Sequence, residues 1–108
     1  MAHVLVIEDD DVVRELLREV LGRTGYRVTE ARNGLEGVQL FFRDPAEVVL
    51  IDVRHEHECF QSAREITERH PNTKIINMTC SRGKKFNSLD ISMFLNNIHN
   101  LPAVCRPA

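Results

Sequence analysis

Five side chains spread over most of the chain are of the types that handle phosphoryl groups beside a divalent cation: Glu8, Asp9, Asp52, Thr79 and Arg106. Each follows a short apolar run: Glu8 and Asp9 after residues 4–7, Asp52 after 48–51, Thr79 after 75–78 and Arg106 after 103–105. Carboxylates brought close together raise one another's pKa unless a cation lies among them. With only oxygen donors in an open, wet site, hydrated Mg²⁺ suits the set better than zinc. Magnesium beside a carboxylate, a hydroxyl and a basic side chain is equipment for phosphoryl transfer. The cations neutralise the equatorial oxygens while the carboxylate attacks in line. Taken singly, these residues have ordinary readings. Acids at a helix start are caps, which is how Asp10 and Asp11 read, and a lone Asp or Thr after a strand is a turn residue. What sets Glu8, Asp9, Asp52 and Thr79 apart is that all fall at strand ends together.

For these residues to meet, the strands must run parallel with their carboxyl ends on one edge, where open α/β sheets bind ligands. The pattern supplies such strands. Residues 4–7 are a continuous apolar run, as in a strand covered on both faces. Residues 11–21 follow as a helix, with Val12, Val13, Leu16, Leu17, Val20 and Leu21 on one stripe, Asp10 or Asp11 as its cap and Gly22 or Gly25 as its stop. Residues 27–31 read as a second strand. Asn33 caps a second helix to about Phe42, burying Leu35, Val38, Phe41 and Phe42, and Asp44-Pro45 stops it. Residues 48–51 form the third and most apolar strand, residues 62–70 a weaker helix with Ala63 and Ile66 inward, and residues 75–78 a fourth strand. A fourth helix over 88–99 and a fifth strand over 103–105 complete the series. Strand and helix alternate without a break, which implies an α/β fold with helices on both faces of a parallel sheet.

The 108 residues suit one domain, 1–108, with 43% apolar and 28% charged residues as in ordinary globular chains. A net charge of −2 argues against nucleic acid or a membrane surface as a partner held by bulk attraction. No apolar run is long enough to span a membrane, and the N-terminus lacks the pattern of a signal peptide. Cys59, Cys80 and Cys105 form no C-x-x-C pair, so a reduced, cytoplasmic protein is expected. No glycine-rich phosphate loop supports a flavodoxin-like cofactor binder.

Three stretches together, "VLVIEDDDVVRELLREVL", "AEVVLIDV" and "NTKIINMTC", resemble in order and spacing the receiver domains of two-component response regulators. The resemblance runs to about Cys80 and weakens beyond it. It implies a five-stranded, doubly wound sheet of order 2-1-3-4-5. It implies that Asp52 accepts a phosphoryl group from a sensor histidine kinase or phosphotransfer protein. Mg²⁺ would be held by Glu8, Asp9, Asp52 and the backbone carbonyl of Arg54, and Thr79 would bond the phosphoryl oxygen. The signal would pass to a downstream effector domain or protein.

The chain also departs from that family. Where the family carries a proline and a glycine after the phosphoacceptor, this chain has Glu56 and Phe60, and one residue fewer before the next helix. Without the glycine, a positive φ is hard to reach and the Arg54 carbonyl is at risk of being misaimed. The family's Lys-Pro has no clear counterpart. Arg106-Pro107 is offered in its place, a few residues farther from Thr79, with an ordinary exposed terminal arginine as the other reading. A planar guanidinium does not replace an ammonium point charge. Ala103 stands where an aromatic ring commonly couples to the threonine. The sequence stops soon after the fifth strand, so either it is a fragment of a longer protein or the final helix is absent and another chain covers the exposed sheet face; homodimerisation is the expectation. His55, His57 and Cys59 alternate, so an extended loop would aim all three one way, as a zinc or copper site needs. No fourth ligand is in view, and the segment reads as a charged, solvated loop. His3, His70 and His99 read as surface or helix-end residues, and Met78, Met93 and Phe94 as core. The altered loop and the missing lysine support a second reading, a degenerate receiver serving as a phosphorylation-independent interaction or dimerisation module.

Overall fold

The computed structural model describes residues 2–77, which alternate strand and helix throughout. The elements are β1 (His3–Glu8), α1 (Asp11–Thr24), β2 (Arg27–Ala31), α2 (Gly34–Arg43), β3 (Val48–Asp52), α3 (Glu56–Arg69) and β4 (Lys74–Asn77). The strands form one parallel sheet in the order β2-β1-β3-β4. The order 2-1-3-4 is as expected. The expected fifth strand, the helix over 88–99 and the absence of a last helix lie outside the described residues.

The central strands β1 and β3 are buried along almost their whole length, so both faces must be covered. Their side chains alternate between two cores. Val4, Val6, Val48 and Leu50 join Leu17 and Leu21 of α1 on one face. Leu5, Ile7, Val49 and Ile51 meet Val38 and Phe41 of α2 and Cys59 and Ile66 of α3 on the other. This division follows from the strand order. The chain steps from β1 to β2 in one direction and then from β2 to β3 and β3 to β4 in the other, and crossovers of one hand place those helices on opposite faces.

Local chemistry starts and stops the helices. Asp10 caps α1 by accepting from the amides of Val12 and Val13 at 2.9 and 3.1 Å. Gly25 ends α1 at φ 104°, a left-handed conformation that glycine adopts without strain. Asn33 caps α2 by accepting the Glu36 amide at 2.8 Å, and the Glu36 carboxylate reaches back to the Arg32 amide at 3.0 Å.

Several expectations are corrected. Val12 is 76% exposed, Leu16 39% and Leu35 71%, so none belongs to a fully buried stripe. In α1 the buried row is Leu17 and Leu21, with Val13 packed against it, and Val12 and Leu16 form the neighbouring row. In α2 the buried row is Gly34, Gly37, Val38 and Phe41, and its two glycines hide it from a count of apolar side chains. A Cβ at Gly37 would run into the Ile7 side chain, so the glycine lets α2 approach the sheet. His3 is not a surface residue. It is buried, with Nε2 at 2.7 Å from the Thr29 hydroxyl.

The largest correction concerns α3, which starts at Glu56 rather than Ser62. The expected charged loop is its first turns. Cys59, Ser62 and Ile66 are buried with Ala63 partly so, a spacing of three to four residues that marks a helix face. Gly25 has the sole positive φ among the described glycines, and Phe60 sits within regular helix, so no positive φ is demanded there.

Candidate functional site

In the parallel register Glu8 lies directly opposite Asp52, the last residues of the two central strands. Glu8 continues the alternation of Val4 and Val6, and Asp52 that of Val48 and Leu50, so both carboxylates leave the sheet on the α1 side. Asp9 stands one residue beyond Glu8, in the turn that leads to the Asp10 cap.

Glu8 is only 3% exposed. Its Oε1 accepts the Asp10 amide at 3.0 Å, while Oε2 is buried without a hydrogen-bond partner. Two ionised carboxylates have no proton to share, so Oε2 needs either a proton, which it would donate to Asp52, or a cation. Burial, followed by that hydrogen bond to Asp52 and by the charges of Asp52 and Asp9, pushes the Glu8 pKa up to about 9. The Asp10 amide opposes the rise and is outweighed.

Asp9 is tied to the connection that follows Asp52: its Oδ2 accepts the Arg54 amide at 2.9 Å. That bond docks the segment carrying the Arg54 carbonyl against the acidic pair. Thus Glu8, Asp9, Asp52 and Arg54 are neighbours at one edge of the sheet. Thr79 and Arg106 lie outside the described residues, as does Ala103.

Among the described residues, no three His, Cys, Asp or Glu side chains converge as a ready-made metal cage. The acids do not do so because Asp9 is turned toward Arg54 and Glu8 toward Asp10. Magnesium asks for less, since it keeps several waters and takes one or two carboxylates directly. A buried carboxylate oxygen without a donor, in an all-oxygen set open to water, fits that ion. His55, His57 and Cys59 do not form a zinc site. Residues two apart on a helix point some 200° away from each other; Cys59 is fully buried and His57 exposed.

One neighbour was not singled out by residue type. Arg14, its side chain 13% exposed, donates from Nη1 to the Glu8 carbonyl at 2.9 Å and from Nη2 to Asp11, and its Nε lies 3.9 Å from Glu30. It clasps the end of β1 to the first turn of α1. The available signal was a base one turn into a helix that follows a run of acids.

The chain matches the family described as "Response regulator receiver domain" over residues 4–93. The transcriptional regulatory protein CseB of Streptomyces coelicolor is 45% identical over 51 residues, covering 47% of this chain and 22% of CseB. The response regulator protein TrrA of Thermotoga maritima, in complex with Mg²⁺-BeF, has the same fold. Its TM-score is 0.72 at 26% identity, over 90% of this chain and 98% of that one. TrrA in complex with the histidine kinase ThkA gives a TM-score of 0.69 at 26% identity, over 90% of this chain and 97% of that one. The chain spans between 22% and 36% of the length of the curated relatives it matches. Among the described residues no helix is long and apolar enough to cross a membrane.

Proposed function

The chain belongs to the response regulator receiver domain family, and we propose that it takes a phosphoryl group on Asp52 from a histidine kinase, in the presence of Mg²⁺. The observation that carries this reading is the register pair Glu8–Asp52 with its unpartnered, buried Glu8 oxygen. A structural Asp at a strand end would not need a second carboxylate buried against it. TrrA, solved with Mg²⁺-BeF and in complex with a histidine kinase, supports both the ion and the partner.

The residues divide the work. Asp52, half-buried at the end of β3, presents its carboxylate oxygen to phosphorus in line with the leaving histidine nitrogen. The new P–O bond forms on Asp52 as the P–N bond breaks. Glu8, Asp9, Asp52 and the Arg54 carbonyl would hold Mg²⁺, which supplies charge neutralisation for the phosphoryl oxygens. Asp9 also positions Arg54 through its amide. Thr79 is the hydroxyl proposed to bond the phosphoryl oxygen, and Arg106 the cation proposed in place of the family lysine. Whatever domain or protein reads the phosphorylated state would do so through changed protein contacts.

The test is incubation with acetyl phosphate, with and without Mg²⁺, followed by intact-mass measurement. Wild type is expected to gain one phosphoryl mass only with Mg²⁺, and Asp52→Asn to gain none. Equal behaviour of the two proteins would sink the reading in favour of a phosphate-independent interaction module.

A further inference from the structure

The run from His55 to Phe60 carries Glu56 and Phe60 where the resemblance leads one to expect a proline and a glycine, and the function above uses none of its side chains. Only residues 53–55 separate β3 from α3, so the lie of Arg54 depends on where α3 is anchored. His55, at the N-cap of α3, makes no side-chain capping bond. The anchor is instead lateral. Glu58 reaches across to α2, where its Oε2 accepts the Gly34 amide at 3.1 Å. That amide is one of the unsatisfied donors of the first turn of α2, and a carboxylate there is also favoured by the helix dipole. Gly34 is shaped for the approach, because a Cβ on it would run into Ser62 Oγ and lie 2.8 Å from Glu58 Cγ. Burial of Cys59, next in the chain, holds the same turn down on the sheet.

We propose that Glu58 is a positioning residue for the connection after Asp52: by pinning the first turn of α3 to the N-terminus of α2, it holds the Arg54 amide on Asp9. A side-chain tether thereby does the work of the family's proline and glycine, and two helices on the same face of the sheet become mechanically linked to the acidic edge. The effect on the Arg54 amide concerns the metal-free protein; only a consequence for Mg²⁺ affinity rests on the function proposed above.

The test is amide hydrogen exchange and ¹H–¹⁵N chemical shift by NMR on the metal-free protein, comparing wild type, Glu58→Ala, Glu58→Gln, Gly34→Ala and His57→Ala. Glu58→Ala is expected to lose roughly tenfold in protection at both Gly34 and Arg54, the order set by a hydrogen bond to a charged group. Amides of Val49 and Leu50 in the core, reporting global stability, should move far less. Glu58→Gln keeps an acceptor oxygen and should retain most of the protection at both sites. Gly34→Ala attacks the same contact from the α2 side and should reproduce the Arg54 effect. His57→Ala, an exposed change on the same turn, should do nothing. An Arg54 amide unmoved in Glu58→Ala, while that of Gly34 changes, would overturn the proposal, as would equal loss at Arg54 and in the core. In parallel, Mg²⁺ titration separates the two ideas. Absence of Mg²⁺ binding by wild type counts against the phosphoacceptor reading and leaves the exchange result to decide the tether.

Discussion

At the scale of single residues, Glu8 carries the largest electrostatic cost in the described structure. It is a buried carboxyl facing a second carboxylate, with its pKa pushed up to about 9 from an ordinary 4.5. In the unfolded chain the group ionises near the ordinary value, so between the two values the folded state binds the extra proton. Metal-free stability should therefore be highest, as far as Glu8 is concerned, below pH about 4.5 and should fall as pH rises toward about 9. Replacing the acid with an uncharged amide removes that dependence and still leaves a donor for Asp52. Glu8→Gln is thus expected to stabilise the metal-free protein at pH 8, with little effect at pH 4.5. Urea unfolding at the two pH values checks this, and an equal effect at both would show that Glu8 does not titrate between them. The acids at positions 8, 9 and 52 were legible in the sequence because they fall at the ends of apolar runs. Arg14 was not, because a base on a helix is ordinary until its carbonyl partner is known.

Elements obey packing more than composition, and the glycines show it. Gly37 faces Ile7 at the contact between α2 and β1, whereas Gly22 in α1 has nothing within 4 Å of where a Cβ would stand. Gly37→Ala should cost roughly 1–3 kcal/mol through overpacking, and Gly22→Ala should add about 0.5–1 kcal/mol through helix propensity. Thermal unfolding of the pair gives opposite signs if close helix–sheet approach is the reason for Gly37, and like signs if it is not. The same contrast explains which elements were readable in advance. The positions of β1 and β3 are legible to within a residue because buried strands in a parallel sheet are continuous apolar runs. The caps Asp10 and Asn33 were readable from residue type. The buried face of α2 is hidden in the sequence because glycine leaves no hydrophobic mark where two backbones approach. The start of α3 is hidden in the sequence because Glu56, His57 and Glu58 have the composition of a solvated loop. The periodic set Cys59, Ser62, Ala63 and Ile66 held the signal, and a cysteine and a serine are weak markers of a core face.

For the whole molecule, the acidic edge cannot be separated from global stability. Glu8 and Asp52 end β1 and β3, the two fully covered strands that carry both cores, so parting the two acids means breaking the central strand pair. A ligand that binds between them therefore acts on the folded state as a unit. By mass action, Mg²⁺ at a hundred times its Kd adds about 2.7 kcal/mol, which in a domain of this size raises Tm by roughly 10 °C or more. The expectation is a Tm that climbs with Mg²⁺ concentration for wild type and hardly moves for Asp52→Asn. Arg27→Ala supplies the control. It removes an exposed ion pair with Asp44 that lies at the opposite end of the sheet, where β2 begins. Such a pair contributes little to stability. The Mg²⁺-dependent rise in that variant should match wild type whatever its starting Tm. A rise that survives in Asp52→Asn would place the bound ion elsewhere than on this carboxylate pair, and scanning calorimetry across a magnesium series decides between the two.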